Sequence, residues 1–170
     1  MAGTTSNNSW PYPTSTDLVT NGASAIQSLA TSIDTSTGKG LIAWQAWTPT
    51  VSGGFTVGNG SWSNAIYCQI GKTVHFTAVF TYGSTSSANT MNVSLPVTAR
   101  VAASQMNNGY CNAGGNAFSL TVRMNTTSNV QVYANGSAVA YVNLANLTTL
   151  IPGTWATGNI LAINGTYEAA

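Results

Sequence analysis

Charge is what this sequence has least of. Only 4% of its 170 residues are Asp, Glu, Lys or Arg, against roughly 25% in an ordinary soluble domain. The seven are Asp17, Asp34, Glu168, Lys39, Lys72, Arg100 and Arg123, for a net charge of +1. With no basic cluster, neither a nucleic-acid surface nor an anionic-membrane surface is expected, because both are held by pairing to phosphate. No Asp or Glu occurs from Thr35 to Tyr167. Catalysis by paired carboxylates, and calcium binding, would therefore lack their ligands across that stretch.

Other scarcities narrow the field further. Two cysteines, Cys68 and Cys111, are too few for a disulfide scaffold, so free thiols and synthesis in a reducing cytoplasm are expected. The start has neither a basic nor an apolar leader region, and no run approaches the roughly 18 apolar residues of a membrane span. Zinc would have Cys68, Cys111 and the single histidine, His75, without the paired spacing of such sites. No metal or cofactor is expected.

What is abundant is uncharged polarity. Ser, Thr and Asn supply 61 residues, and 44% of the chain is hydrophobic, enough for one sizeable core. Seven Asn-x-Ser/Thr sequons, at Asn7, Asn59, Asn92, Asn125, Asn135, Asn146 and Asn164, follow from that composition.

Two parts are expected, residues 1–40 and 41–170. Trp10-Pro11-Tyr12-Pro13 reads as an extended segment, since two prolines exclude helix. Residues 14–34 read as helix, capped by Ser15 or Thr16, with Asp17 favourably placed in the first turn. Val19, Ile26 and Ile33 recur every seven residues, with Gly22 and Leu29 in the second series. Isoleucine at successive a positions favours a trimeric seam. The competing reading is an amphipathic helix lying on its own domain. Residues 35–40, with two glycines, read as a helix stop and linker.

Beyond the linker the period changes to two. Val74, Phe76, Ala78, Phe80 and Tyr82 form one apolar face of a long strand. Further strands are expected over 41–51, 55–57, 62–70, 91–95, 118–124, 130–134, 137–143 and 160–167. Asn135-Gly136 has the chemistry of a two-residue hairpin turn, pairing Val132 with Val139 and Val130 with Tyr141. The sum is a mainly β chain, a short N-terminal helix followed by an antiparallel β-sandwich or jelly-roll-like domain.

Catalytic constellations are weak. Cys68 and His75 are the best pair, yet a three-residue loop, Gly71-Lys72-Thr73, would set Cys68 opposite Phe76 and turn the two to opposite faces. Gly71-Lys72-Thr73 also imitates the end of a phosphate-binding loop, but the required glycine is Ile66. No acid in the β part could orient a Ser-His triad. The expectation is a protein that is not an enzyme. Trp62, Trp155, Tyr67, Tyr110 and Tyr133, among many amides and hydroxyls, are the materials of a saccharide-binding face, or equally of core and rim packing.

Several motifs are familiar. Asn8-Ser9-Trp10-Pro11-Tyr12-Pro13-Thr14-Ser15-Thr16-Asp17-Leu18-Val19 and Ala25-Ile26-Gln27-Ser28-Leu29-Ala30-Thr31-Ser32-Ile33-Asp34 resemble the opening of virion proteins of tailed phages. That group comprises minor tail, tail-fibre and head-fibre or capsid decoration proteins, especially of actinobacterial phages. Trp47-Thr48-Pro49-Thr50-Val51, Tyr67-Cys68-Gln69-Ile70-Gly71-Lys72-Thr73-Val74 and Ser94-Leu95-Pro96-Val97 resemble the same group. The resemblance implies a homotrimeric, non-enzymatic appendage on the virion surface, made in the host cytoplasm. Trp10, Pro11, Tyr12 and Pro13 would attach it to capsid or tail proteins, and Val19, Ile26, Leu29 and Ile33 would join the chains. The alternative is an adhesin module recognising host-surface saccharide.

Overall fold

The computed structural model describes residues 3–6, 9–16, 18–40, 44–102, 106–137 and 142–170. They fall into two compact units, Met1–Ala43 and Trp44–Ala170. In the first, β1 (Gly3–Thr4) and β2 (Pro11–Tyr12) pair antiparallel, and a 3-10 turn at Val19–Asn21 leads into α1 (Gly22–Gly40). The prolines do keep their segment extended, as part of this small ribbon.

The helix differs from expectation at both ends. It starts at Gly22, and Leu18 rather than Ser15 or Thr16 precedes the 3-10 turn, without a side-chain cap. The Thr14 and Thr16 hydroxyls bond to each other instead. Asp17 lies outside the described residues. The expected linker, 35–40, is helical. Ser, Thr and Lys there cost only a few tenths of a kcal/mol each in an established helix, and Gly38 about 1 kcal/mol, so elongation carries through them.

The second unit is an antiparallel sheet of ten strands. They are β3 (Gln45–Ala46), β4 (Val51–Ser52), β5 (Ser61–Ile70), β6 (Thr73–Thr81), β7 (Met91–Ser94), β8 (Met106–Ala113), β9 (Asn116–Met124), β10 (Asn129–Ser137), β11 (Val142–Asn146) and β12 (Ile160–Glu168). The order is β3-β5-β6-β12-β8-β9-β10-β7-β4, with β11 beside β10. The expected strand at 41–51 is broken in two, and 41–43 lie outside the described residues. This break lets one short run serve both ends of the sheet. Gln45 and Ala46 pair with β5, whereas Val51 and Ser52 pair with β7. The sheet therefore curls until its two ends meet on the same stretch of chain, giving a β-sandwich-like body with few free edges. Expected strand 55–57 is reduced to a single bridge, Thr56 with Ser87, although Phe55 is buried.

One core fills the curl. Val74, Phe76, Ala78 and Phe80 enter it from β6, Leu161 and Ile163 from β12, Leu120 and Val122 from β9, Val130 and Val132 from β10, and Met91 and Val93 from β7. Tyr167 closes one end, its hydroxyl donating to the Val97 carbonyl at 2.6 Å and accepting from the Val97 N–H at 3.1 Å. Strand β8 had no signal in the pattern of the sequence, because its inward row, Asn107, Gly109, Cys111 and Ala113, is small or polar, while its outward row, Met106, Asn108, Tyr110 and Asn112, carries its two large apolar side chains. It is nonetheless central, between β12 and β9. Close packing explains the small residues: a Cβ on Gly109 would come within 2.9 Å of the Ala162 carbonyl oxygen.

Asn135-Gly136 does not form a turn. Strand β10 runs through it and pairs with β11 from Tyr133↔Asn146 to Ser137↔Val142; the expected partners Val139 and Tyr141 lie outside the described residues. The amide of Asn135 is needed in the sheet. It accepts from the Thr121 hydroxyl at 2.7 Å and donates to that of Ser119 at 3.2 Å. The longer ladder and this network outweigh the local turn preference.

Candidate functional site

In the N-terminal unit, Val19 is 96% exposed and Ile26 62%, while Ile33 is less exposed and Leu29 half-buried. Val19 lies in the 3-10 turn, ahead of the α-helix proper. Trp10 and Pro11 are half-buried, and Tyr12 and Pro13 are exposed. The Trp10 carbonyl accepts from the Thr5 N–H at 2.9 Å, and the Trp10 N–H donates to the Thr5 hydroxyl at 3.0 Å. Gly3 sits beneath the Tyr12 ring, where a Cβ would lie 2.7 Å from it. The proline segment is thus locally built and displays Tyr12.

The register of β5 against β6 reverses the expected placement of Cys68 and His75. A two-residue turn, Gly71-Lys72, pairs Ile70 with Thr73 and Cys68 directly with His75. Gly71 takes φ +58, which glycine adopts without steric cost. A bulge after Ser63, with Asn64 at φ +48, then inserts one extra residue in β5. Trp62 and Tyr67 consequently both point inward, on opposite sides of the bulge. Ile66, Cys68 and Ile70 face outward. Burial of two large rings decides the register against the smaller aliphatic set. Cys68 and His75 therefore share the outer face, and the His75 Nδ1 lies 2.9 Å from the Thr166 hydroxyl on the next strand.

A groove of about 370 Å³ opens on this face where two strands part. Pairing of β12 with β8 stops at Asn164↔Asn108, while β12 continues along β6 as far as Glu168↔Thr73. Beyond the split, the Asn107 Oδ1 accepts the Thr166 N–H at 3.0 Å, while the buried Asn107 Nδ2 has no partner among the described residues. Gly165 is required there, because a Cβ would meet Asn107 and Phe76 at under 3 Å. His75, Thr166, Asn164 and Asn108 line the groove, flanked by Trp44 and Met106. Trp44 is 52% exposed and Met106 64%. No charged residue lines it.

The five aromatic candidates separate cleanly. Trp62 packs on Phe80 with ring centres 5.2 Å apart, and Trp155 stacks on Tyr82 at 5.5 Å while donating to the Thr148 and Ile151 carbonyls. Tyr67 donates to the Gln45 side chain at 2.8 Å. These three serve packing. Tyr110 and Tyr133 are on the outer face, with Arg123 over the Tyr133 ring at 5.7 Å. Trp44, the exposed aromatic on a groove that the buried Phe76 also lines, was not among the candidates. Its only signal is register: it falls one residue before Gln45↔Tyr67, on the side of Cys68.

Cys111 is fully buried, and burial alone pushes its thiol from the usual 9.0 up to about 12. It is a neutral packing group. Among the described residues no three His, Cys, Asp or Glu side chains come together as a metal site would need, and no helix is long and apolar enough to cross a membrane. Comparisons with family models, with curated proteins and with solved structures return no match.

Proposed function

We propose that the protein is a non-enzymatic structural component of a tailed-phage virion. In this reading it is a short homotrimeric knob held on the particle surface through its N-terminal segment, as capsid decoration or head fibre rather than as a minor tail protein. One observation carries the reading. The unit Trp44–Ala170 has a complete core of its own, and the separate unit Met1–Ala43 exposes Val19 and Ile26 at heptad spacing. A self-sufficient β body gives those residues no structural task within the body, so a seam between chains is their natural use. At 1.5 Å per residue the 19-residue helix spans about 28 Å, which suits a squat knob and not a long fibre. The resemblance of Asn8–Val19 and Ala25–Asp34 to the opening of tailed-phage virion proteins supports the same assignment.

A second reading, a receptor-binding adhesin for saccharide, is favoured by the uncharged groove beside Trp44. Labelled antibody on intact particles separates them: decoration spread over the head is expected, and label confined to the tail tip would favour the adhesin. A chain starting at Thr14 should fold yet fail to join particles. Normal incorporation would remove the attachment role of Trp10 to Pro13.

A further inference from the structure

We infer that the groove between β12 and β8 is a binding site for a neutral saccharide, with Trp44 as the stacking platform and the amides of Asn108 and Asn164 as the hydrogen-bonding groups. Its size is the first argument. About 370 Å³ is at the lower end of small-ligand pockets, room for one or two sugar rings but not for a folded partner.

Its chemistry is the second. An exposed indole offers a flat apolar surface to the C–H face of a pyranose, and a sugar ring has just such a face beside its hydroxyls. Asn108 and Asn164 are exposed cross-strand neighbours, and neither side chain is engaged by another described residue. Each therefore presents a donor and an acceptor to the groove, the combination that a vicinal diol can satisfy. His75 and Thr166, tied to each other at 2.9 Å, add a pair whose orientation is already set.

Its rigidity is the third. Except for Trp44, which immediately precedes β3, these groups stand on strands of the sheet, so little conformational freedom is lost on binding. The absence of charge on the lining selects against anionic sugars, which would find no cation to pair with. An apolar ligand is selected against too, because it would cover amides without satisfying them.

The inference does not depend on the trimeric seam or on the place of the protein in a particle. Binding in solution tests the groove, and particle labelling tests the location. The experiment is saturation-transfer NMR on the full chain with the methyl glycosides of glucose, galactose, mannose and N-acetylglucosamine, at up to about 10 mM. At least one should bind, with saturation greatest on ring C–H protons. Trp44→Ala should weaken it about tenfold or more, Trp44→Phe should restore most of the loss, and Asn164→Ala should weaken it several-fold with the far-ultraviolet dichroism unchanged. Methyl glucuronide should bind no more tightly than methyl glucoside. If none of the four glycosides receives saturation, or if binding survives both Trp44→Ala and Asn164→Ala, the assignment is overturned.

Discussion

Cys68 on β5 stands directly opposite His75 on β6, and His75 in turn contacts Thr166 on β12, so one row crosses three strands on the outer face. The other thiol, Cys111, is on the inner face of β8 with no exposed surface. The two cysteines should differ sharply towards a thiol reagent. In the native protein about one thiol per chain should react, at Cys68, and Cys111 should react only on unfolding. Peptide mapping after maleimide labelling checks this; native labelling of Cys111 would mean that the core opens readily.

Stability should fall in alkali, and Cys111 and Tyr167 should be the cause. Burial raises the Cys111 thiol to about 12 and the Tyr167 phenol from 10.0 to about 12, the latter in spite of its bond to Val97. Folded-state values above the unfolded ones mean that both contributions are complete below pH 9.0 and are lost as the pH rises towards 12. Each group steepens the decline by about 1.4 kcal/mol per pH unit once its unfolded form ionises. Urea midpoints measured from about pH 8 to about pH 11 should fall less steeply for Cys111→Ala, and less steeply again with Tyr167→Phe added.

Asn135 should matter more than its place beside a glycine suggests. It accepts the hydroxyl of Thr121, which is 8% exposed, and Asn135→Ala leaves that group without its partner. A cost of about 1–3 kcal/mol is expected from urea denaturation. Thr121→Val combined with Asn135→Ala should cost less than the two single changes added together. Full additivity would show that the contact contributes nothing.

Salt should have little effect. The pair between Arg100 and Glu168, 2.8 Å apart, is exposed on both sides, and such pairs contribute at most about 1 kcal/mol. Raising ionic strength from low to about 1 M should leave the mass in solution unchanged and the urea midpoint nearly so. Dissociation in salt, seen by light scattering, would place the assembling forces in ion pairs after all.

Ile26→Asp tests the proposed seam. Three aspartates near one axis would be desolvated and mutually repelling, and Lys39 is 13 residues further along the helix, about 20 Å away. The expected penalty is on the order of 3–5 kcal/mol, enough to separate so short a seam. Sedimentation should show monomers, and far-ultraviolet dichroism should keep its β signal, since the core belongs to Trp44–Ala170. An intact oligomer would place the contact between chains elsewhere.

Much of the architecture was legible in the pattern of residues. Alternation over Val74–Phe80 and Phe118–Met124 is periodic on the length scale of a single strand, and one buried face imposes it whatever the neighbours are. The candidate site was not legible, because it depends on which strands lie side by side. A bulge after Ser63 and a turn one residue shorter than expected carried Cys68 to the face of His75. The parting of β12 from β8 after Asn164↔Asn108, 56 residues apart in the chain, opened the groove flanked by Trp44. Strand β8, whose inward row is small or polar, has no inward hydrophobic signature and is a strand because its neighbours offer it hydrogen bonds. Local periodicity is written by burial of a face and can be read from one segment. Register and groove arise from competition among distant segments for the same core, and only the folded chain decides it.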